Sequence, residues 1–345
     1  MAKNNLVVWI TSVFGFGWTL LKIVAKIWLF IGQSVGTVFL IFSILGIFLI
    51  QQSGKVESGD LGLKKGVLVQ AGSATESIAV VKLNGEIVSD ATESLMSGAQ
   101  MIDVTKTEKL LRQLKNDAAI KAVVISINSP GGAVVASDRL YQAIKDLNDA
   151  KPVVVQLEDV AASGGYYAAV AGSNIIAHPA TITGSIGVIM QSPEFTELFE
   201  KVGISVRTIK SGQFKDIGSS TKKMEVEDKA ILQTIVTEAY DRFVSIVADE
   251  RGLEMDKARE IADGRIYTGQ QAAVLGLVDS LGDRSDAIAM ASLLAGVENP
   301  SIWEYGGKTW LSAFMDAKAT NFSLTSLVPN SNLTRQAGLW YLASW

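Results

Sequence analysis

Hydrophobic and polar positions fall into three regimes along the chain. The first is continuous apolarity: Ile27–Ile50 runs for 24 residues without a charge. A bilayer core takes about 20 apolar residues in a helix, so this segment is long enough to span. No small-residue cleavage site follows it. Gln51-Gln52-Ser53-Gly54-Lys55 has juxtamembrane composition, so an uncleaved anchor is expected rather than a removable leader. Leu6–Leu21 is a second uncharged run of 16 residues that contains Gly15 and Gly17; a second crossing, a re-entrant segment and an interfacial helix all remain open. Trp9, Trp18 and Trp28 suit membrane–water interfaces. Lysines lie on both sides of the main span, Lys3, Lys22 and Lys26 before it and Lys55, Lys64 and Lys65 after it, and the balance barely favours a cytoplasmic N-terminus.

The second regime, residues 51–75, is rich in Gly, Ser, Lys and Gln and reads as a linker. The third alternates short β-branched runs with helical periodicity. Ile78–Leu83 reads as a strand before a turn at Asn84-Gly85, and Ala122–Ile127, Val153–Leu157, Ile175–Ala177 and Ile186–Met190 read as further strands. Between them, Thr105–Leu114, Val134–Leu147 and Gly164–Ala171 read as helices; Leu140, Ile144 and Leu147 fall on one face. This order predicts an α/β fold with parallel pairing. A long helix is expected from Glu225 to about Glu250, with Ile231, Ile235, Ala239, Phe243 and Ile246 as a core or oligomer stripe. Shorter helices follow at Asp256–Ile261 and Gln270–Leu275. The tail from Ser301 carries Trp303, Trp310, Trp340 and Trp345, a composition expected of a docking or membrane-touching segment. The expected organisation is an anchor region at 1–52 with its span at 27–50, a linker at 53–75, a catalytic domain at 76–298 and a tail at 299–345.

Composition narrows the chemistry. The net charge of −4 gives no footprint for a nucleic-acid partner. No cysteine is present, which excludes disulfides and thiolate chemistry, and the single histidine argues against a histidine-built metal centre. What remains is hydroxyl and amine chemistry. Ser163 lies at a strand-to-helix turn between Ala161-Ala162 and Gly164-Gly165. Small neighbours permit a sharp turn and close approach of a substrate backbone. A helix starting at Gly164 aims free N–H groups toward the serine. A serine there is also a common helix N-cap, so alone it decides little. Ser129-Pro130-Gly131-Gly132 ends a strand one unit earlier; together the two turns suggest an oxyanion hole built from two loops. For the base, a desolvated lysine can replace histidine. Lys210 and Lys215 lie in one Gly/Ser-rich loop, and His178 is the other candidate; spacing does not choose among them.

Five ordered stretches together carry a resemblance: INSPGG at Ile127–Gly132, VAASGGYYAAVAG at Val160–Gly172, TGSIGVI at Thr183–Ile189, IKSGQFKDIGS at Ile209–Ser219 and DGRIYTGQQAAVLGLVDSLG at Asp263–Gly282. The chain resembles the signal peptide peptidase A (SppA) family of membrane-anchored serine–lysine proteases, in its short single-repeat form. The resemblance implies a crotonase/Clp-protease-like α/β spiral with an N-terminal transmembrane helix anchor. It implies Ser163 as nucleophile, Lys215 rather than Lys210 as general base, and Ser185 as the residue orienting the lysine. The N–H groups of Gly132 and Gly164 would form the oxyanion hole, supported by Gly131. No metal, cofactor or nucleotide is implied. The lysine would come from a neighbouring subunit, so active sites would form only in a homo-oligomeric ring. The expected setting is the cell membrane with the catalytic domain extracytoplasmic. The expected substrates are apolar peptides such as signal-peptide remnants. A dedicated membrane-protein client of stomatin-like type, a crotonase-type acyl-CoA enzyme and a non-catalytic scaffold are the other readings.

Overall fold

The computed structural model describes residues 66–90, 100–306 and 340–342. The expected anchor Ile27–Ile50 and the run Leu6–Leu21 lie outside the described residues, as do Trp9, Trp18, Trp28, Trp310 and Trp345. Among the described residues no helix is long and apolar enough to cross a membrane.

The elements follow the predicted alternation. Strands β1 (Val67–Gln70), β2 (Ser73–Asn84), β3 (Glu86–Val88) and β4 (Met101–Asp103) lead into helix α1 (Val104–Asn116). Then come β5 (Ile120–Ser129), β6 (Gly131–Ala133), α2 (Val134–Asn148), β7 (Val153–Ala162), α3 (Gly164–Ala169), β8 (Asn174–Ala177) and β9 (Ile182–Gly184). The second half holds α4 (Thr196–Lys201), α5 (Val226–Arg251), α6 (Met255–Ile261), β10 (Ile266–Thr268), α7 (Gly269–Val274), β11 (Ser280–Leu281), α8 (Arg284–Ala295), β12 (Pro300–Tyr305) and β13 (Trp340–Leu342).

One sheet runs β1-β12-β2-β5-β7-β8-β11, parallel except where β1 meets β12. Strand β7 divides its far edge: Val154–Leu157 pairs with β8, and Val160–Ala162 pairs with β9. Its upper end exchanges β8 for β9 while still pairing with β5 at Ser129–Ala161, and Ser163 follows directly. A second, smaller sheet runs β13-β6-β3-β4. Strands β2, β5 and β7 read as continuous apolar runs because both faces are covered, as parallel sheets require. Ala79, Val81, Val123, Ile125, Val153 and Val155 face the main core beneath α1, α2 and α3. Ile78, Val80, Val124 and Val154 face Ala287 and Ala291 of α8.

Three expectations need correction. Ile186–Met190 is not a strand; the strand lies earlier, at Ile182–Gly184. Gly184 (φ 78°) and Ser185 (φ 50°) turn the backbone out of the extended region there, which β-branched composition alone does not reveal. The linker ends sooner than residue 75: β1 and the start of β2 already pair in the sheet. Strand β1 is exposed along its length, so no alternation marks it. The sheet also runs past residue 298, because β12 inserts between β1 and β2. Trp303 is therefore a sheet residue, paired with Ala79. On α5, Phe243 is fully buried, whereas Ile231 and Ile235 stay exposed. The stripe is core at its C-terminal half only.

Candidate active site

Ser163 stands between β7 and α3 with φ 53° and ψ −117°, a conformation that costs a non-glycine residue about 1–3 kcal/mol. Two bonds hold the turn: Ser163 N–H donates to the Gly184 carbonyl at 2.8 Å, and Tyr167 N–H donates to the Ser163 carbonyl at 2.8 Å. The side chain is 1% exposed, and its Oγ has no hydrogen-bond partner among the described residues. A buried hydroxyl without a partner is uncommon and calls for a reason. No side-chain cap bond forms. Ser163 therefore holds the N-cap position of α3 through its backbone, and its hydroxyl does no capping.

Helix α3 is fixed from below. Tyr166 and Tyr167 are fully buried. Tyr166 OH donates to the Leu277 carbonyl at 2.7 Å, and Tyr167 OH donates to Asp138 Oδ1 at 2.6 Å. Arg242 of α5 donates to the same carboxylate at 2.7 Å. Tyr167 also packs between Tyr141 and Phe243. Burial pushes the Tyr166 phenol well above its ordinary range, so it stays a neutral donor. Sequence reasoning overlooked these anchors, although the paired tyrosines directly after Ser-Gly-Gly were the available signal.

The second glycine pair meets the serine turn closely. A Cβ on Gly165 would lie 2.9 Å from the Ser129 carbonyl oxygen. Gly131 has φ 107°, and its N–H donates to Ser129 Oγ at 3.1 Å. Gly132 lies against β3, where a Cβ would come 2.0 Å from the Ile87 carbonyl oxygen and 2.6 Å from its nitrogen. Both obstacles are backbone, so Gly132→Ala forces β6 off β3. The expected result is a loss of about 1–3 kcal/mol in stability, together with at least a 10²-fold fall in kcat/KM. A thermal melt and a peptidase assay on the same sample check both.

Strand β6 also takes an antiparallel partner from the chain itself. Trp340, Tyr341 and Leu342 stand opposite Ala133, Gly132 and Gly131. This edge, beside the Ser163 turn, accepts an extended strand by main-chain pairing.

Ser185 comes to the same place. Gly184 pairs with Ala162 across β7 and β9, so Ser163 and Ser185 each follow directly on one of two paired strand ends. Ser185 is also buried, with its N–H donating to the Arg265 carbonyl at 2.8 Å. The Asp263–Gly282 motif thus serves the site through backbone: β10 pairs with β9, and Tyr267 covers Gly184. A groove of about 380 Å³ opens at Ser185, walled by Gln233, Thr237 and Tyr240 of α5 and by Asp263 and Gly264.

The lysines are not at the serine. Lys215 is exposed, in a series of turns between Ser211 and Gly218, and its side chain has no partner among the described residues. Lys210 donates to Asp216 Oδ1 at 2.7 Å and to the Gln213 carbonyl at 2.8 Å. His178 is exposed at the end of β8, where its Nδ1 accepts from Ala180 N–H. The structure therefore brings together Ser163, Ser185, Gly131, Gly132 and Gly164. None of the three candidate bases hydrogen-bonds Ser163 Oγ.

A buried, strained serine beside two glycine-bearing turns is an arrangement that suits serine-type hydrolysis. The Clp protease family model matches residues 85–183, and the peptidase family S49 model matches residues 145–298. A putative protease of Methanocaldococcus jannaschii is 41% identical over 67% of this chain and 75% of its own length. A putative protease of a Synechocystis strain is 40% identical over 66% of this chain and 77% of its own. A putative signal peptide peptidase SppA of Enterococcus faecium is 33% identical over 70% of each. The chain belongs to peptidase family S49, the SppA family, and is a serine peptidase.

Proposed function

We propose that the protein is a membrane-bound endopeptidase with a Ser163–Lys215 dyad, acting on extended apolar peptides such as signal-peptide remnants. The observation that carries the reading is Ser163 itself: buried, strained and without a hydrogen-bond partner for Oγ. The neutral amine of Lys215 takes the Ser163 proton as Oγ attacks the peptide carbonyl. The N–H groups of Gly132 and Gly164 receive the oxyanion, and Ser185 orients the amine. The amine's proton passes to the leaving nitrogen. Water then resolves the acyl-enzyme with the same lysine as base. The strand edge at Gly131–Ala133 supports recognition of main chain, a mode that favours extended peptides over folded ones.

Lys215 is read as coming from the neighbouring subunit of a homo-oligomeric ring. The segment from α4 to Gly218 that carries it supports this. Leu198, Val202, Ile204, Val206 and Phe214 are all exposed, and Ile209 is completely so. A single copy leaves this apolar series uncovered, whereas a second copy of the chain would cover it. Ile209→Asp is expected to lower both oligomer size and peptidase activity, read by light scattering and turnover on one preparation. The anchor at Ile27–Ile50 supports placement at the cell membrane, with the catalytic domain on the extracytoplasmic side.

The test is peptidase activity on an apolar signal-peptide substrate in detergent, across pH 6 to 10. Saturable hydrolysis that tracks serine-directed labelling supports the reading. Absence of hydrolysis, with Ser163→Ala instead capturing one membrane protein, would favour a dedicated client. Saturable binding of coenzyme A would favour the acyl-transfer reading.

A further inference from the structure

Asp216 follows Lys215 directly in the chain, so a free carboxylate there would be an adjacent partner for the lysine amine. An opposite charge within about 4–6 Å favours the ammonium form, which is useless as a base. The structure directs Asp216 elsewhere. Its side chain is 13% exposed, turned toward a small cavity that Ser192, Glu194, Lys222, Lys223 and Asp228 also line. Oδ1 accepts from Lys210 Nζ at 2.7 Å, and Lys222 Nζ stands 3.7 Å from the same atom. Lys222 is anchored in turn by Asp228, which is 3% exposed in the first turn of α5, at 2.6 Å. Adjacent side chains thus diverge: Asp216 turns to a four-membered ion cluster, while Lys215 projects outward alone.

We propose that Lys210 and Lys222 are positioning residues that hold Asp216 away from Lys215, so that the amine reaches Ser163 without an anion attached. The inference rests on the reading of Lys215 as the base. The charged groups around Asp216 are Lys210, Lys222, Lys223, Glu194, Asp228 and, across Lys222, Glu225. The hydrogen bond from Lys210 holds the Asp216 carboxyl below its usual range, and that from Lys222 does the same for Asp228. The bond to Asp228 raises Lys222. The carboxylates' contribution is therefore present above their unfolded values and lost as pH falls through the depressed ones. The Lys222 contribution is present below the usual lysine value and lost only as pH rises through the raised one. These directions keep Asp216 and Asp228 ionised and Lys222 protonated at neutral pH.

The experiment compares pH profiles of kcat/KM on the full chain in detergent. Active sites are counted by fluorophosphonate titration on the alkaline plateau, so that misassembled protein drops out. Lys210→Gln is expected to move the acid limb upward by about one pH unit, roughly a tenfold loss on that limb with little change on the plateau. Adding Asp216→Asn to it is expected to return the limb to the wild-type position or below. Lys222→Gln provides a second variant with the same expected direction should Lys210→Gln assemble poorly. An unmoved limb, or a double variant that fails to reverse the shift, overturns the proposal. Lys215→Ala separates the two ideas. If it keeps the wild-type profile, the base assignment falls. If it is inactive while the Lys210→Gln limb stays in place, only the positioning role falls.

Discussion

Ser163→Ala is expected to abolish peptide hydrolysis, by on the order of 10⁴-fold or more, with oligomer size unchanged. The hydroxyl removed makes no hydrogen bond among the described residues, so no structural contact is lost with it. Ser163→Gly sharpens the point. The residue sits at φ 53°, where glycine is unstrained, so this variant should be equally inactive and yet more stable, by about 1 kcal/mol. A variant that melts later while losing all activity marks a position where the fold tolerates strain for the sake of the chemistry. Kinetics and a denaturation curve on both variants check the pair of outcomes. Retained turnover in Ser163→Ala would end the nucleophile assignment.

The second large effect concerns where the base comes from. Lys215→Ala should lower kcat by about 10³-fold, within the range for loss of a general base. The informative step is mixing. Ser163→Ala and Lys215→Ala are each inactive alone. Denatured together, renatured and reassembled in equal amounts, they should regain about one quarter of wild-type activity, because a site then works when one protomer brings an intact Ser163 and its neighbour an intact Lys215. Activity no higher than the two parents would place the lysine in the same chain as its serine. The exposed position of Lys215 and the buried position of Ser163 favour recovery.

Much of the catalytic domain was legible in the chain. Strands β5 and β7 and helices α1 and α2 were readable because buried parallel strands are continuously apolar and core helices repeat at 3.6 residues. Strand β1 was not, since an exposed edge is defined by its ladder to β12 and not by its side chains. The strand expected at Ile186–Met190 failed for a related reason. Backbone turns at Gly184 and Ser185, fixed by the Arg265 carbonyl far along the chain, override the local β-branched preference. Among the candidate residues, the two glycine-bearing turns were visible as small-residue clusters. Their joint use as one oxyanion hole was expected, but the close backbone approaches of Gly165 to Ser129 and of Gly132 to Ile87 were not visible.

The sequence by itself determined the type of chemistry. With no cysteine and one histidine, a serine in Ala-Ala-Ser-Gly-Gly stood out as the candidate nucleophile with Lys210, Lys215 and His178 open as bases, and five ordered motifs carried the family likeness. It determined the alternation of strand and helix, because hydrophobic period is a local property. Only the tertiary structure decided that β7 splits its edge between β8 and β9, which sets Ser163 and Ser185 at the ends of two paired strands. Only the tertiary structure separated two lysines five residues apart, pairing Lys210 with Asp216 and leaving Lys215 outward. Those outcomes depend on which distant backbone atoms and charges come within a few ångströms, and no periodicity along a chain records that.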